Sequence, residues 1–130
     1  SAFTPSSHGT TFGGNPIACS AALAVLDAIE QEGILANATT VGAYMLERLR
    51  AIAKNCPRVV EVRGQGMIIG VVLKGDPRPV VDACLREKLL VNGTAGNVLR
   101  LLPPLNLTRE EADAGLKIIE SALMSAPGTA

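Results

Sequence analysis

Apolar positions along this chain change their spacing from segment to segment, and each spacing predicts an element. Ser1 to Gly14 mix Pro, Ser, Gly and Thr without period and read as loop. From Pro16 to about Gln31 the residues are helix formers, and Gly33 ends the run. Between Ile17 and Ile29 the only polar side chains are Ser20 and Asp27, so this helix lacks the broad polar face of a surface helix. A surface supplied by another subunit or a larger domain would cover it, unless its alanine-rich faces are simply tolerated in water. A second helix, about Leu35 to Lys54, is ordinarily amphipathic: Ala38, Val41, Met45, Leu49 and Ile52 recur at helical spacing opposite Glu47, Arg48 and Arg50.

The spacing then shortens. Val59–Arg63 and Met67–Leu73 are β-branched runs on either side of Gly64-Gln65-Gly66, which predicts an antiparallel hairpin. Asp76-Pro77 turns the chain into a helix from about Pro79 to Lys88, with Val81, Cys84 and Leu85 facing inward. Leu89–Val91 reads as a short strand ending at an Asn92-Gly93 turn, and Val98–Leu102 as a strand stopped by Pro103-Pro104. Thr108 with Glu111 three residues later predicts a capping box, followed by the stripe Ala112, Leu116, Ile119 and Leu123, with a loose tail from Ser125. The expected fold class is α+β, helices layered against a small, mostly antiparallel sheet. It divides into a loop over 1–15, linking helices over 16–54, a small domain over 55–125 and a tail over 126–130.

Composition narrows the function classes. Lys plus Arg equals Asp plus Glu at twelve each, with one Tyr, two Phe and no Trp, so the chain has neither a basic footprint nor a stacking platform for nucleic acid. No apolar run reaches the length of a membrane span, and the N-terminus has no charged-then-apolar signal pattern. Cys19, Cys56 and Cys84 are odd in number, widely spaced and set among apolar residues, which reads as reduced core thiols in a cytosol-like compartment rather than a disulfide frame or metal site.

Candidate chemistry concentrates at two places. Gly9-Thr10-Thr11-Phe12-Gly13-Gly14 leads into Asn15, a favoured N-cap, and Pro16, a favoured first helical residue. Two hydroxyls, flexible glycines and a helix N-terminus suit a small anion, although an ordinary capping loop has the same composition. Arg100 stands on a strand otherwise made of Val and Leu, so its guanidinium either meets a carboxylate or pocket, or turns to solvent by simple alternation. Arg63 carries the same ambiguity at a strand end. His8, the single histidine, has no carboxylate near it in sequence to build a relay, and no lysine looks desolvated enough for a Schiff base.

Three blocks, Ser7–Cys19, Glu61–Gly70 and Val98–Leu105, resemble in order and spacing the class III pyridoxal-phosphate aminotransferases, above all the branch acting on acetylornithine. The ornithine, succinylornithine and 4-aminobutyrate branches share the same blocks. The resemblance implies the small C-terminal domain of a fold-type I enzyme with pyridoxal 5'-phosphate as cofactor, working as a homodimer whose cofactor site is shared between subunits. It implies that Thr11 binds the cofactor phosphate of the neighbouring subunit, that Thr10 lies near bound substrate, and that Arg100 engages a substrate carboxylate or a switching glutamate. It also implies that the Schiff-base lysine, the aspartate on the pyridine nitrogen and the aromatic stacked on the ring precede the Thr-Phe-Gly-Gly-Asn block. This stretch is then a C-terminal segment, inactive by itself, of a cytoplasmic enzyme moving an amino group from N-acetylornithine to 2-oxoglutarate in arginine biosynthesis. The competing class is a non-catalytic α+β module that binds a phosphate or a partner chain.

Overall fold

A computed structural model of the chain describes Thr4 and residues 8–126; the rest of the loop before Gly9 and the tail from residue 127 lie outside the described residues. Two compact units divide at Ile34 and Leu35. The first holds the loop and helix α1 (Pro16–Gln31). Asn15 caps α1 as its sequence demands, its side-chain oxygen accepting from the Ala18 N–H at 3.0 Å, with Pro16 opening the first turn. No residue of α1 is buried, and Ile17, Leu23, Val25 and Leu26 are each more than half exposed. Cys19 is therefore exposed, unlike the core thiol its neighbours suggested, whereas Cys56 and Cys84 are buried.

The second unit holds α2 (Ile34–Lys54) from Leu35 onward and continues through β1 (Val59–Gln65), β2 (Ile68–Leu73), α3 (Arg78–Arg86), β3 (Asn92–Thr94), β4 (Val98–Leu101) and α4 (Arg109–Ser125). The strands form one antiparallel sheet in the order β1-β2-β4-β3. Alternation assigns its faces: Ile69, Val71 and Leu73 of β2 and Leu99 and Leu101 of β4 point into the core, where Leu49 of α2 and Leu116 of α4 join them in one apolar cluster. A bulge between Val59 and Glu61 shifts the phase of β1, so that Val59 and Val62 both pack against that cluster. The α+β class and antiparallel sheet stand as expected.

Two close contacts seat α2 on the sheet. A Cβ built on Gly42 would lie 2.2 Å from the Gly66 carbonyl oxygen, so only glycine lets α2 rest on the backbone of the β1–β2 turn. The Asn37 side chain donates to the carbonyls of Leu105 and Leu107 at 2.8 and 3.1 Å, tying the chain that leaves β4 to the same helix.

Several local expectations are corrected. The β1–β2 turn is Gly66-Met67 rather than Gly64–Gly66, with Gln65 and Ile68 already paired and Met67 buried. Leu89–Val91 is not a strand: α3 ends at Arg86, Lys88 takes a positive φ of 63°, and the Leu89 N–H donates back to the Cys84 carbonyl at 2.9 Å, which redirects the chain. Asn92-Gly93, expected as a turn, is itself edge strand β3, and the reversal follows at Ala95 and Gly96, whose φ values are 49° and 80°. Ala126, assigned to a loose tail, is buried, and its carbonyl accepts a bond from Arg58.

Candidate functional site

Within the first unit, the loop before α1 is organised by its own side chains. The Thr10 hydroxyl accepts from the Gly13 N–H at 3.1 Å, and the Asn15 side chain donates to the Phe12 carbonyl. Thr11 is exposed, and among the described residues its hydroxyl makes no hydrogen bond. The N-terminus of α1 is less open to an anion than its composition suggests: Pro16 has no N–H, Asn15 occupies that of Ala18, and the Cys19 N–H already donates to the Asn15 carbonyl. The loop thus offers a hydroxyl at Thr11, not a complete phosphate cradle.

Within the second unit, Arg100 sits on β4 between buried Leu99 and Leu101, and strand alternation sends its side chain to the open face of the sheet. The carboxylate partner its apolar setting suggested is not found: the ion pairs among the described residues are Arg48–Asp113, Arg63–Glu61 and Arg78–Asp76. The alternation alternative is the one realised. Arg100 is nonetheless firmly based, because β4 pairs on both sides, with Gly70 of β2 and Asn92 of β3 directly opposite it.

Gly70 also lies opposite Arg63, so Arg63, Gly70, Arg100 and Asn92 form one row across all four strands. Arg63, Gly64, Ile68, Gly70 and Arg100 line a depression of about 690 Å³ on this face. The sequence named both arginines but not their alignment, which depends on register between strands up to 37 positions apart; glycine between two cationic strands was the only available sign. His8 is exposed. Among the described residues no cluster of His, Cys, Asp or Glu could hold a metal ion, and no helix is long and apolar enough to cross a membrane. The arrangement in this unit is a fully paired sheet presenting guanidiniums outward, which suits recognition of a carboxylate.

Residues 1–123 match the aminotransferase class-III family, and the chain is a member of it. A curated relative, acetylornithine aminotransferase 1 of Bordetella bronchiseptica, is 49% identical over 117 residues, covering 90% of this chain and 30% of the relative. Among solved structures, the acetylornithine aminotransferase of Elizabethkingia anophelis superposes with a TM-score of 0.82 at 31% identity, over 94% of this chain and 32% of that one. An amine transaminase from an uncultivated Pseudomonas species, in its PLP-bound form, gives 0.84 at 38% identity, over 95% and 30%. The chain spans about 30% of the length of the curated relatives it matches.

Proposed function

We propose that this chain forms the cofactor-loop edge and small domain of a pyridoxal-phosphate aminotransferase that moves an amino group between N-acetylornithine and 2-oxoglutarate, a step of arginine biosynthesis in the cytoplasm. The observation that carries the reading is Arg100: a guanidinium held outward by a doubly paired strand, with no carboxylate of the described residues within ion-pair distance. Acetylornithine as amino donor is supported by the likeness to acetylornithine aminotransferases, at up to 49% identity over 90% of this chain.

Each residue then has a defined task. Thr11 donates its hydroxyl to the cofactor phosphate in the neighbouring subunit of a homodimer. Thr10, whose oxygen already accepts from Gly13 N–H, holds the loop in shape beside the substrate and keeps its proton free to donate. Arg100 binds a substrate carboxylate with two parallel N–H···O bonds, fixing the reacting carbon by its distal anchor. When bound, the cofactor supplies an electron sink that stabilises negative charge at the substrate carbon. The Schiff-base lysine and the groups around the ring come from polypeptide outside these 130 residues, which do not transaminate alone. The exposed apolar positions of α1 are covered in the dimer.

The test is glutamate formation by the full-length protein supplied with pyridoxal phosphate, 2-oxoglutarate and each of the four donors in turn. N-acetylornithine is expected to give the highest kcat/KM. A higher value for ornithine or 4-aminobutyrate would move the protein to another branch, and no transfer from any donor would overturn the reading.

A further inference from the structure

The row across the open face holds more than Arg100. Arg63 is opposite Gly70, and Gly70 is opposite Arg100, so the two arginines stand two strands apart, roughly 10 Å between their backbones. Both belong to the same face. A Cβ built on Gly70 would come within 3.9 Å of the Arg63 Cγ, which shows the Arg63 stem leaning over the glycine rather than turning to the core. The glycine position is covered from β4 by Val98, whose Cγ1 would lie 3.2 Å from that Cβ, so an apolar side chain, not a charged one, borders the two arginines there.

Arg63 is only loosely neutralised. Its guanidinium meets Glu61 on the same strand at 3.4 Å, with both side chains more than half exposed, a pair that water and salt weaken. Arg100 has no such neighbour among the described residues. The face therefore carries two positive charges and one negative, arranged so that Arg63 and Glu61 act in opposite directions on any anion bound at Arg100.

We infer that Arg63 is a second charge determinant of substrate recognition, acting along the Arg63–Gly70–Arg100 row to favour a dicarboxylate dianion over a substrate with no net charge, and that Glu61 moderates it. The inference rests on the proposed reaction, whose two substrates separate the effect. 2-Oxoglutarate is a dianion, whereas N-acetylornithine carries one carboxylate and one ammonium and is neutral overall. A charge about 10 Å away acts strongly on the first and weakly on the second.

The experiment measures KM for both substrates in the full-length holoenzyme carrying Arg63→Gln, Arg63→Lys or Glu61→Gln. At low ionic strength Arg63→Gln is expected to raise KM for 2-oxoglutarate about fourfold, from one charge acting on a dianion at about 10 Å in water, while leaving KM for N-acetylornithine within a factor of about 1.5. Arg63→Lys, which keeps the charge, restores the parent value, and Glu61→Gln lowers KM for 2-oxoglutarate. At about 1 M salt, where the screening length is about 3 Å, all three differences collapse. A structural role for Arg63 would instead move both KM values together, resist salt and respond in the same direction to loss of Glu61, and that result overturns the inference. Absence of transfer in the parent protein would point to failure of the reaction assignment; normal transfer with unchanged KM values in the variants would sink the role of Arg63 alone.

Discussion

Gly42 and Gly115 are both helical glycines, yet replacing each by alanine is expected to change stability in opposite directions. In an unhindered helix interior the exchange stabilises by about 1 kcal/mol, because alanine loses less backbone entropy on folding. Gly115, in α4, meets that condition: an added Cβ finds only Leu89 Cδ1 at 3.8 Å, an ordinary contact. Gly42 does not. Its Cβ would stand 2.2 Å from the oxygen, 2.6 Å from the carbon and 2.9 Å from the Cα of Gly66, all backbone atoms that no rotamer change can move. Restoring normal separations near 3.5 Å requires α2 or the β1–β2 turn to shift by about 1 Å, at the upper end of the roughly 1–3 kcal/mol range for overpacking. Subtracting the propensity gain of about 1 kcal/mol leaves Gly42→Ala destabilised by about 2 kcal/mol and Gly115→Ala stabilised by about 1 kcal/mol. Urea unfolding followed by circular dichroism reads this as midpoints displaced on opposite sides of the parent, at unchanged m-value. A Gly42→Ala midpoint at or above that of the parent would refute the seating of α2 on the turn.

The capping box of α4 gives a pH-dependent prediction. The Glu111 carboxylate is held below its usual range first by the Thr108 backbone N–H and then by the Thr108 hydroxyl. Its contribution is therefore complete above the ordinary glutamate pKa of about 4.3 and lost as pH falls through the lower folded value, so Glu111→Ala should cost stability at neutral pH and progressively less under acid. Thr108→Ala should cost about 1 kcal/mol, read from the same unfolding curves. The exposed apolar side chains of α1 predict that the 130-residue chain self-associates and that Leu23→Glu with Leu26→Glu weakens association. Sedimentation showing a strict monomer at high concentration would contradict this.

What could be read from the chain depended on whether the determining contacts were local. Asn15-Pro16 and Thr108 with Glu111 specify helix starts within four residues, and both caps form as expected. The alternation that turns Arg100 outward is likewise carried by its immediate neighbours. By contrast, the strand at Asn92–Thr94 exists because β4 offers an edge to pair with, and the same Asn-Gly pair without that edge reads as a turn. The left-handed Lys88 that sends Leu89–Val91 away from the sheet leaves no trace in a lysine codon, since positive φ is normally the province of glycine or asparagine. The Arg63–Gly70–Arg100 row required the register of three strands, and the Gly42–Gly66 contact required the docking of a helix on a turn. On the candidate site, the residue types were legible in advance, while the occupation of the α1 N-terminus by its own cap became visible only with the hydrogen bonds placed.

The central claim is that the loop before α1 serves the cofactor of the neighbouring subunit through Thr11, and a hybrid dimer tests it most directly. Thr11→Val removes one bond to a charged phosphate, worth about 1.5–3 kcal/mol, and is expected to weaken cofactor retention roughly 10- to 100-fold. A full-length subunit carrying Thr11→Val is paired with one whose Schiff-base lysine is replaced, and activity is measured at limiting pyridoxal phosphate. If Thr11 reaches across the interface, one site of the hybrid has both an intact lysine and an intact Thr11, and about half of the parent activity returns. If Thr11 serves its own subunit or no cofactor at all, the hybrid shows no recovery beyond the two inactive or weakened homodimers, and the account of this loop fails.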